Sequence, residues 1–408
     1  MNVTITPGPL AGTITPPASK SESHRMLIAA ALAGGTSRLE RLSESEDIAA
    51  TAACLTTLGA RIDGETVHGI AALRRRDELP PRMDCGESGS TLRFLIPVAL
   101  AVAGGGFFTG HGRLLERPLA PYRALFLDKG ILFQQSAGQL RVSGTLYPGE
   151  YCLPGNVSSQ FLTGLLFALP LLDGPSRLTL TTPLESAGYV EMTLHTLRQF
   201  GVRILRAPDG YLIDGKQHYR PQQLTVEGDW SQAAFFWAAN GLGSEIQIEG
   251  MNVHTAQGDR VIVDYCDRLA RPGRVELDVS QCPDLAPALA VRAALRAGEV
   301  TRLVGAGRLR MKESDRIDSI AGALGALGAR VTTGPDWLEL HGVSSLAGGE
   351  ADSYHDHRIA MMLAVAATRA VTPVVIRGAQ CVTKSYPRFW ADYAALGGQI
   401  LMEEETRL

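Results

Sequence analysis

Seven short polar clusters mark this chain. In order they are Ser19-Lys20-Ser21-Glu22-Ser23-His24-Arg25, Gly86-Glu87-Ser88-Gly89-Ser90-Thr91-Leu92-Arg93, Leu114-Leu115-Glu116-Arg117-Pro118-Leu119, Ser158-Ser159-Gln160, Arg308-Leu309-Arg310-Met311-Lys312-Glu313-Ser314-Asp315-Arg316-Ile317, Asp356-His357-Arg358 and Thr383-Lys384-Ser385-Tyr386-Pro387. The first, second, fourth and sixth stand directly before apolar stretches of helical length. A helix start offers unpaired backbone N–H groups and the positive end of the macrodipole, which together attract anions. A single Ser or Asp there reads as an ordinary N-cap. Four such clusters at one phase of a repeat, three of them holding Lys or Arg, point instead to a pocket for strongly anionic ligands. Two carboxylates, Asp284 and Glu313, are the candidates for proton transfer. On local grounds alone Asp284 reads equally as the cap of its helix, and Glu313 as an ion-pair partner of Lys312 or Arg316. His24 reads as packing, and His355-Asp356-His357 lacks a neighbouring ligand cluster that would make a metal site.

These clusters belong to a repeat. Apolar helical stretches begin near Lys20, Ser90, Ser158, Trp230, Asp284 and Asp356, at separations of 70, 68, 72, 54 and 72 residues. Five of the six are followed by a Gly-plus-strand signal, at Gly59, Gly130, Gly201, Gly328 and Gly397-Gly398. In the short fourth unit that signal is lost between Leu269 and Glu276. A long fixed period means repeated supersecondary units. The leading helix of each unit is apolar nearly all round (Met26 to Ala33, Phe94 to Ala103, Phe161 to Leu172), so it is expected inside the molecule. Alternating strands such as Arg177-Leu178-Thr179-Leu180-Thr181 are expected outside it. Only 10 residues follow Gly398, so the strand around Val3-Thr4-Ile5 is expected to complete the last unit. The resulting scheme is α/β, with two domains of three βαβαββ-type repeats. One domain comprises residues 1–13 and 228–408, the other 14–227. Connections near 13–17 and 225–228 suit a hinge that closes around a ligand.

Composition narrows the function. The 408 residues exceed what one core supports. A net charge of -3 leaves no basic footprint for nucleic acid. No run reaches the roughly 20 apolar residues of a membrane span, and the N-terminus has no secretory pattern. Six scattered cysteines without a CxxC pair suit a reducing, cytoplasmic setting.

PASKSESHR, GESGSTLRFL, LLERP, VSSQFLTGLL, LRMKESDRI, DHRIAM and TKSYP resemble, in order and over essentially the whole chain, the motifs of the 5-enolpyruvylshikimate-3-phosphate synthase family. The resemblance implies a two-domain inside-out α/β barrel and a reaction between phosphoenolpyruvate and shikimate 3-phosphate in aromatic amino acid biosynthesis. It further implies a cytoplasmic monomer with no cofactor and no metal, and a target of the analogue glyphosate. Shikimate 3-phosphate is then expected at Lys20, Ser21, Arg25, Ser158, Ser159, Gln160, Ser186, Tyr189, Asp284 and Lys312. Phosphoenolpyruvate is expected at Lys20, Gly89, Arg117, Gln160, Arg316, Arg358 and Lys384. The matching catalytic positions are Asp284, beside the attacking hydroxyl, and Glu313, Lys20 and Lys384, any of which could move the methylene proton. Guanidinium forks suit carboxylate and phosphate, and Gly89 lets its backbone N–H approach a ligand closely.

The alternatives are a UDP-N-acetylglucosamine enolpyruvyl transferase, an RNA 3′-phosphate cyclase and a non-catalytic anion-binding scaffold. The first uses a loop cysteine in the region corresponding to Leu114 to Tyr122, where this chain has none. The second needs ATP and a nucleophilic His. The third would tolerate loss of Asp284, Glu313 and Lys384. The chain departs from the family pattern at Glu87, Phe94 and Arg308, and in its shortened fourth unit. Glu87 and Phe94 are expected to bear on the phosphoenolpyruvate pocket.

Overall fold

The repeat is written into the backbone by glycine. Each of Gly59, Gly130, Gly201, Gly328 and Gly397 follows a helix and has a positive φ, between 69° and 110°. That left-handed conformation ends a helix and costs glycine nothing. The chain then turns back as a strand.

The computed structural model describes residues 1–70, 80–136 and 138–404. Contacts divide the chain into two units, Met1–Pro17 with Gly228–Leu408, and Ala18–Glu227. The N-terminus contributes β1 (Asn2–Thr6) and β2 (Ala11–Ile14) to the first unit. In the second unit the first repeat runs α1 (Lys20–Leu32), β3 (Thr36–Glu40), α2 (Glu46–Thr57), β4 (Arg61–Asp63) and β5 (Thr66–His68). The second runs β6 (Arg82–Asp84), α3 (Gly89–Ala103), β7 (Gly105–Thr109), α4 (Ala120–Asp128), β8 (Leu132–Ser136) and β9 (Gln139–Ser143). The third runs β10 (Glu150–Leu153), α5 (Ser159–Ala168), β11 (Ser176–Leu180), α6 (Ala187–Gln199), β12 (Ile204–Ala207) and β13 (Gly210–Ile213). Then β14 (Gln223–Thr225) returns to pair with β3.

The three sheets have one order, β6-β7-β9-β8, β10-β11-β13-β12 and β14-β3-β5-β4. The first two strands of each are parallel and the last two form an antiparallel hairpin. Parallel neighbours need a crossover, and the leading helix supplies it between β6 and β7 and between β10 and β11.

The first unit continues with α7 (Trp230–Asn240), β15 (Glu245–Ile248) and α8 (Ile262–Ala270). Next come β16 (Val275–Asp278), α9 (Ala286–Ala294), β17 (Val300–Val304), α10 (Arg316–Ala326), β18 (Arg330–Thr333) and β19 (Leu338–His341). Last come β20 (Gly349–Asp352), α11 (His357–Ala367), β21 (Val374–Arg377), α12 (Phe389–Ala395) and β22 (Gln399–Glu403). β1 lies between β21 and β22, antiparallel to both, so it fills the place a hairpin strand takes in the other sheets. β2 pairs with β15 in a sheet of only two strands, because α8 leads straight into β16. The pairing of Ile14 with Ile248 keeps residues 14–17 with the first unit.

Burial separates the two helices of each repeat. Every residue of α9 and of α11 is buried, as are all but one of α5. The following helices α2, α4 and α8 bury one face only. Leading helices therefore form the cores and the sheets cover them, as the all-round apolar runs predict.

One buried detail ties α3 to α5. Pro97 lies within α3 and cannot donate to the carbonyl of Arg93. Tyr122 donates to that carbonyl at 3.0 Å and lies 2.8 Å from the Phe161 carbonyl. Gly164 makes room, since a Cβ there would overlap both the Tyr122 hydroxyl and the Arg93 carbonyl. Gly164→Ala is expected to destabilise the protein by ~1–3 kcal/mol. Gly325→Ala in α10, where a Cβ meets nothing within 4 Å, should be stabilising by up to ~1 kcal/mol. Chemical denaturation of both variants checks the pair; equal effects would refute the packing argument.

Candidate functional site

In the first unit the polar clusters converge on Asp284. The expectation that Asp284 opens the fifth helix needs correction. It sits in a single 3-10 turn, Pro283–Leu285, and α9 begins at Ala286 without a side-chain cap. The carboxylate in this Pro-Asp-Leu turn is held by three cations. Lys312 donates to Oδ1 at 3.1 Å, Arg316 to Oδ1 at 3.0 Å and Arg358 to Oδ2 at 3.1 Å. Burial raises the Asp284 carboxyl, but Arg358, Lys312 and Arg316 together hold it well below the usual carboxylate range. A neighbouring cation stabilises the charged form.

Arg316 is 1% exposed and reaches three carboxylates. It meets Asp356 through Nε at 2.8 Å and Nη2 at 3.3 Å, Glu313 at 2.8 Å and Asp284 at 3.0 Å. Burial lowers this guanidinium, but Asp356, Glu313 and Asp284 outweigh it and raise it further above its ordinary value. Asp356 is also the N-cap of α11, accepting from the Arg358 N–H at 3.0 Å and from the Ser314 hydroxyl at 3.1 Å. Arg358 donates to the Ser231 hydroxyl at 2.9 Å, and that hydroxyl donates to Asp229, the cap of α7. Burial lowers the Lys312 ammonium against the pull of Asp284. Lys384 donates to the His355 carbonyl at 3.0 Å. Tyr354 and His355 hold consecutive left-handed conformations, φ 52° and 54°, which cost on the order of 1–3 kcal/mol each. Strain of that size at the approach to Asp356 is a common mark of a functional loop.

In the second unit Lys20 opens α1 and pairs with Asp47 at 2.8 Å. Arg25, one turn further on, donates to the Ser21 carbonyl at 2.6 Å, the Tyr189 carbonyl at 2.9 Å and the Thr193 hydroxyl at 2.9 Å. These bonds bring Ser21 and Tyr189 to one guanidinium. Burial lowers Arg25 to about 10, still cationic at neutral pH. Phe94 lies against it, 5.2 Å from guanidinium carbon to ring centroid, and meets the His24 ring edge-on at 6.1 Å. Phe94 therefore bears on the Arg25 side. His24 is buried, with its Nδ1 joined to the Thr51 hydroxyl at 2.8 Å.

Gly89 begins α3 behind the Ser88 cap. A Cβ on Gly89 would lie 2.8 Å from Arg117 Nη1 and 2.9 Å from Arg93 Nη1, so both guanidinium groups crowd this backbone. Arg93 donates to the Gln160 amide oxygen at 2.7 Å, and the Gln160 amide nitrogen donates to the Ser90 hydroxyl at 2.9 Å. Ser158 caps α5 and Ser159 is its first residue. Ser186 precedes α6 with φ 55°, an unusual conformation for a side-chain-bearing residue. Glu87 packs its carboxyl against Gly112, and Arg308 donates to the Ser280 carbonyl.

The structure thus gathers Asp284, Lys312, Glu313, Arg316 and Arg358 into one hydrogen-bonded set in the first unit, with Lys384 in the same unit. In the second it links Ser21, Arg25 and Tyr189, places Arg117 at Gly89, and ties Gln160 to Ser90. Sequence reasoning passed over Asp47, Arg93, Ser231 and Asp356. Arg93 carries a signal of its own, standing one helical turn after Gly89 on α3. The others meet their cation partners only across long chain separations: Asp47 with Lys20, Ser231 with Arg358 and Asp356 with Arg316. Among the described residues no three His, Cys, Asp or Glu side chains come together as a metal site, and no helix is long and apolar enough to cross a membrane.

Comparison with known proteins gives the family and the fold. The EPSP synthase (3-phosphoshikimate 1-carboxyvinyltransferase) family model matches residues 5–393. A curated 3-phosphoshikimate 1-carboxyvinyltransferase of Clostridium acetobutylicum is 42% identical over 419 residues, covering 98% of each chain. Among solved structures, EPSP synthase from Acinetobacter baumannii superposes with TM-score 0.79 at 26% identity, covering 98% of this chain and 100% of that one. The enolpyruvyl transferase NikO from Streptomyces tendae shares the fold, with TM-score 0.77 at 19% identity and 98% of both chains covered. Matched from near its first residue to near its last, the chain belongs to the EPSP synthase (3-phosphoshikimate 1-carboxyvinyltransferase) family.

Proposed function

We propose that this chain transfers the enolpyruvyl group of phosphoenolpyruvate to the 5-hydroxyl of shikimate 3-phosphate and releases inorganic phosphate, as a cytoplasmic monomer serving aromatic amino acid biosynthesis. The observation that carries the reading is the single carboxylate of Asp284 held by Lys312, Arg316 and Arg358. Lys312, Arg316 and Arg358 are cations that the phosphate and carboxylate of anionic substrates can engage in place of Asp284.

The residue assignments are those the family resemblance implies. The carboxylate and phosphate of phosphoenolpyruvate go to Arg117, Arg316, Arg358, Lys384 and Lys20, with the Gly89 backbone and Gln160. Shikimate 3-phosphate goes to Ser21 and Arg25 through its carboxylate. Its phosphate goes to Ser158, Ser159, Ser186 and Lys312, and Tyr189 packs on the ring.

The reaction is addition followed by elimination. The 5-hydroxyl oxygen bonds to C2 of phosphoenolpyruvate, its proton passes to Asp284, and C3 is protonated to a methyl group. In the tetrahedral ketal phosphate that results, C3 then gives up a proton. The C2–O bond to phosphate breaks as the double bond re-forms. Glu313, Lys20 and Lys384 are the candidates for moving the C3 proton.

Asp284 is a poor base while three cations hold it. When substrate phosphate and carboxylate engage Lys312, Arg316 and Arg358, that hold weakens and its basicity rises. Substrate binding therefore prepares the base. A carboxylate is acceptor-only when ionised, so Asp284 is in the right state to receive the hydroxyl proton throughout the neutral range. The arginines then stabilise the developing charge with no reorganisation of their own.

Phosphate release from phosphoenolpyruvate should occur with shikimate 3-phosphate as acceptor, should not occur with UDP-N-acetylglucosamine, and should survive chelation. Release with the UDP-sugar alone would overturn the substrate assignment. Asp284→Ala should lower kcat by about 10²-fold or more. Turnover near the wild-type rate in that variant would remove Asp284 from the chemistry.

A further inference from the structure

An arginine carries five N–H groups, and the second unit takes one from each nitrogen of Arg25. Nε donates to the Thr193 hydroxyl at 2.9 Å, Nη2 to the Tyr189 carbonyl at 2.9 Å and Nη1 to the Ser21 carbonyl at 2.6 Å. Nε and Nη2 lie along one edge of the planar fork, and Thr193 and Tyr189, one turn apart on α6, take that edge together. One N–H then remains on Nη1 and one on Nη2, side by side at the end of the fork. Among the described residues none accepts from this pair. Two N–H groups so placed match the two oxygens of a carboxylate.

The Thr193 hydroxyl is fully used. Its own proton goes to the Tyr189 carbonyl at 3.0 Å, so the Thr163 hydroxyl, 2.9 Å away, donates to it. Its oxygen accepts from Thr163 and from Arg25, which fills both lone pairs. Thr163 and Thr193 are wholly buried and Arg25 nearly so; a bond lost here leaves a buried donor unsatisfied. Arg25 lies on α1, Thr163 on α5 and Thr193 on α6. One hydroxyl thus joins the three helices whose starts carry Lys20, Ser159 and Ser186. A long side chain held at its Nε has lost its rotational freedom before a ligand arrives, so binding does not have to order it.

We propose that Thr193 is a positioning residue for shikimate 3-phosphate: its hydroxyl holds the Arg25 fork with its end turned to the substrate carboxylate. The inference rests on the reading that this carboxylate goes to Arg25. Thr193 acts through the guanidinium and does not itself touch the substrate.

Shikimate 3-phosphate is titrated calorimetrically into the intact protein and into Thr193→Val, Thr193→Ser and Thr196→Val, and steady-state kinetics are measured on each. Valine keeps the branched shape of threonine and removes the hydroxyl. Thr196 is the control: it is buried on the same helix, and its hydroxyl donates to the Met192 carbonyl at 3.0 Å. Thr193→Val should weaken shikimate 3-phosphate at least about tenfold, the loss of one hydrogen bond to a charged group. Its KM should rise in step, while the KM for phosphoenolpyruvate at saturating shikimate 3-phosphate stays unchanged, as expected when only one substrate's binding is touched. Thr193→Ser should restore the affinity, and Thr196→Val should bind as the wild type does. Equal affinity in Thr193→Val and the wild type overturns the proposal. So does an equal loss in Thr196→Val, which would make the effect one of helix packing, or a parallel rise in both KM values. If Thr193→Val fails to fold, Thr193→Cys, whose sulfur is only a weak acceptor, is read in the same way. An intact protein that binds no shikimate 3-phosphate would sink the substrate reading and the proposal with it, a result distinct from a loss confined to the variants.

Discussion

The structure depends on one buried guanidinium. Arg316, at the start of α10, is shared among Asp356, Glu313 and Asp284. Removing one partner of a buried ion pair leaves an uncompensated charge and costs about 3–5 kcal/mol. This constraint fixes the polypeptide around it. Asp356 must cap α11 to present both its oxygens, and Ser314 must reach the same carboxylate. Asp284 must stand clear of its helix, in a Pro-bounded turn, to meet Lys312 and Arg358 as well. The arrangement is stable without substrate because the carboxylates of the protein stand in for those of the ligands. It is poised because those carboxylates include the proposed base.

The repeat explains how so many such groups come together. Each leading helix is buried nearly all round, so its start is the one part that can present polar groups without breaking the core. Capping side chains, free N–H groups and the macrodipole then coincide at that end. Lys20, Gly89, Ser159, Trp230 and His357 all lie at helix starts. The covering sheets carry little of this chemistry; their role is to hold the helices in register. Loss of a hairpin in the fourth repeat leaves the helix starts untouched and exposes a different surface at the helix ends.

Much of this was legible in the sequence because it is local. Apolar runs located the leading helices to within a residue or two. The recurring glycine marked a left-handed helix end in five repeats, and the lost signal near Leu269 marked a real omission. What local pattern could not supply was pairing across distance. Asp284 looked like a cap because Pro-Asp-Leu before an apolar run usually is one; only its three partners, 28, 32 and 74 residues away, show otherwise. Asp356 looked like a cap and is one, yet its larger task is to hold Arg316, 40 residues earlier. Asp47 was silent for the same reason, its partner Lys20 lying 27 residues away; Arg93 carried only its place one turn after Gly89, its partner Gln160 lying 67 residues away. Phe94 shows the same limit: its contacts with Arg25 and His24 are not written in the pattern of a fully buried helix.

The depressed state of Asp284 also fixes where pH acts. Its folded value lies below the ordinary 3.8, so its contribution to stability is complete above that pH and is lost only as pH falls towards the folded value. The most direct measurement is the titration of the Asp284 carboxyl carbon by 13C NMR, with and without phosphoenolpyruvate. In the free protein the signal should show no titration down to pH 3.8. With phosphoenolpyruvate bound its midpoint should move up, as the cations turn to the ligand. A midpoint that stays put, or moves down, would contradict the account that substrate binding prepares the base.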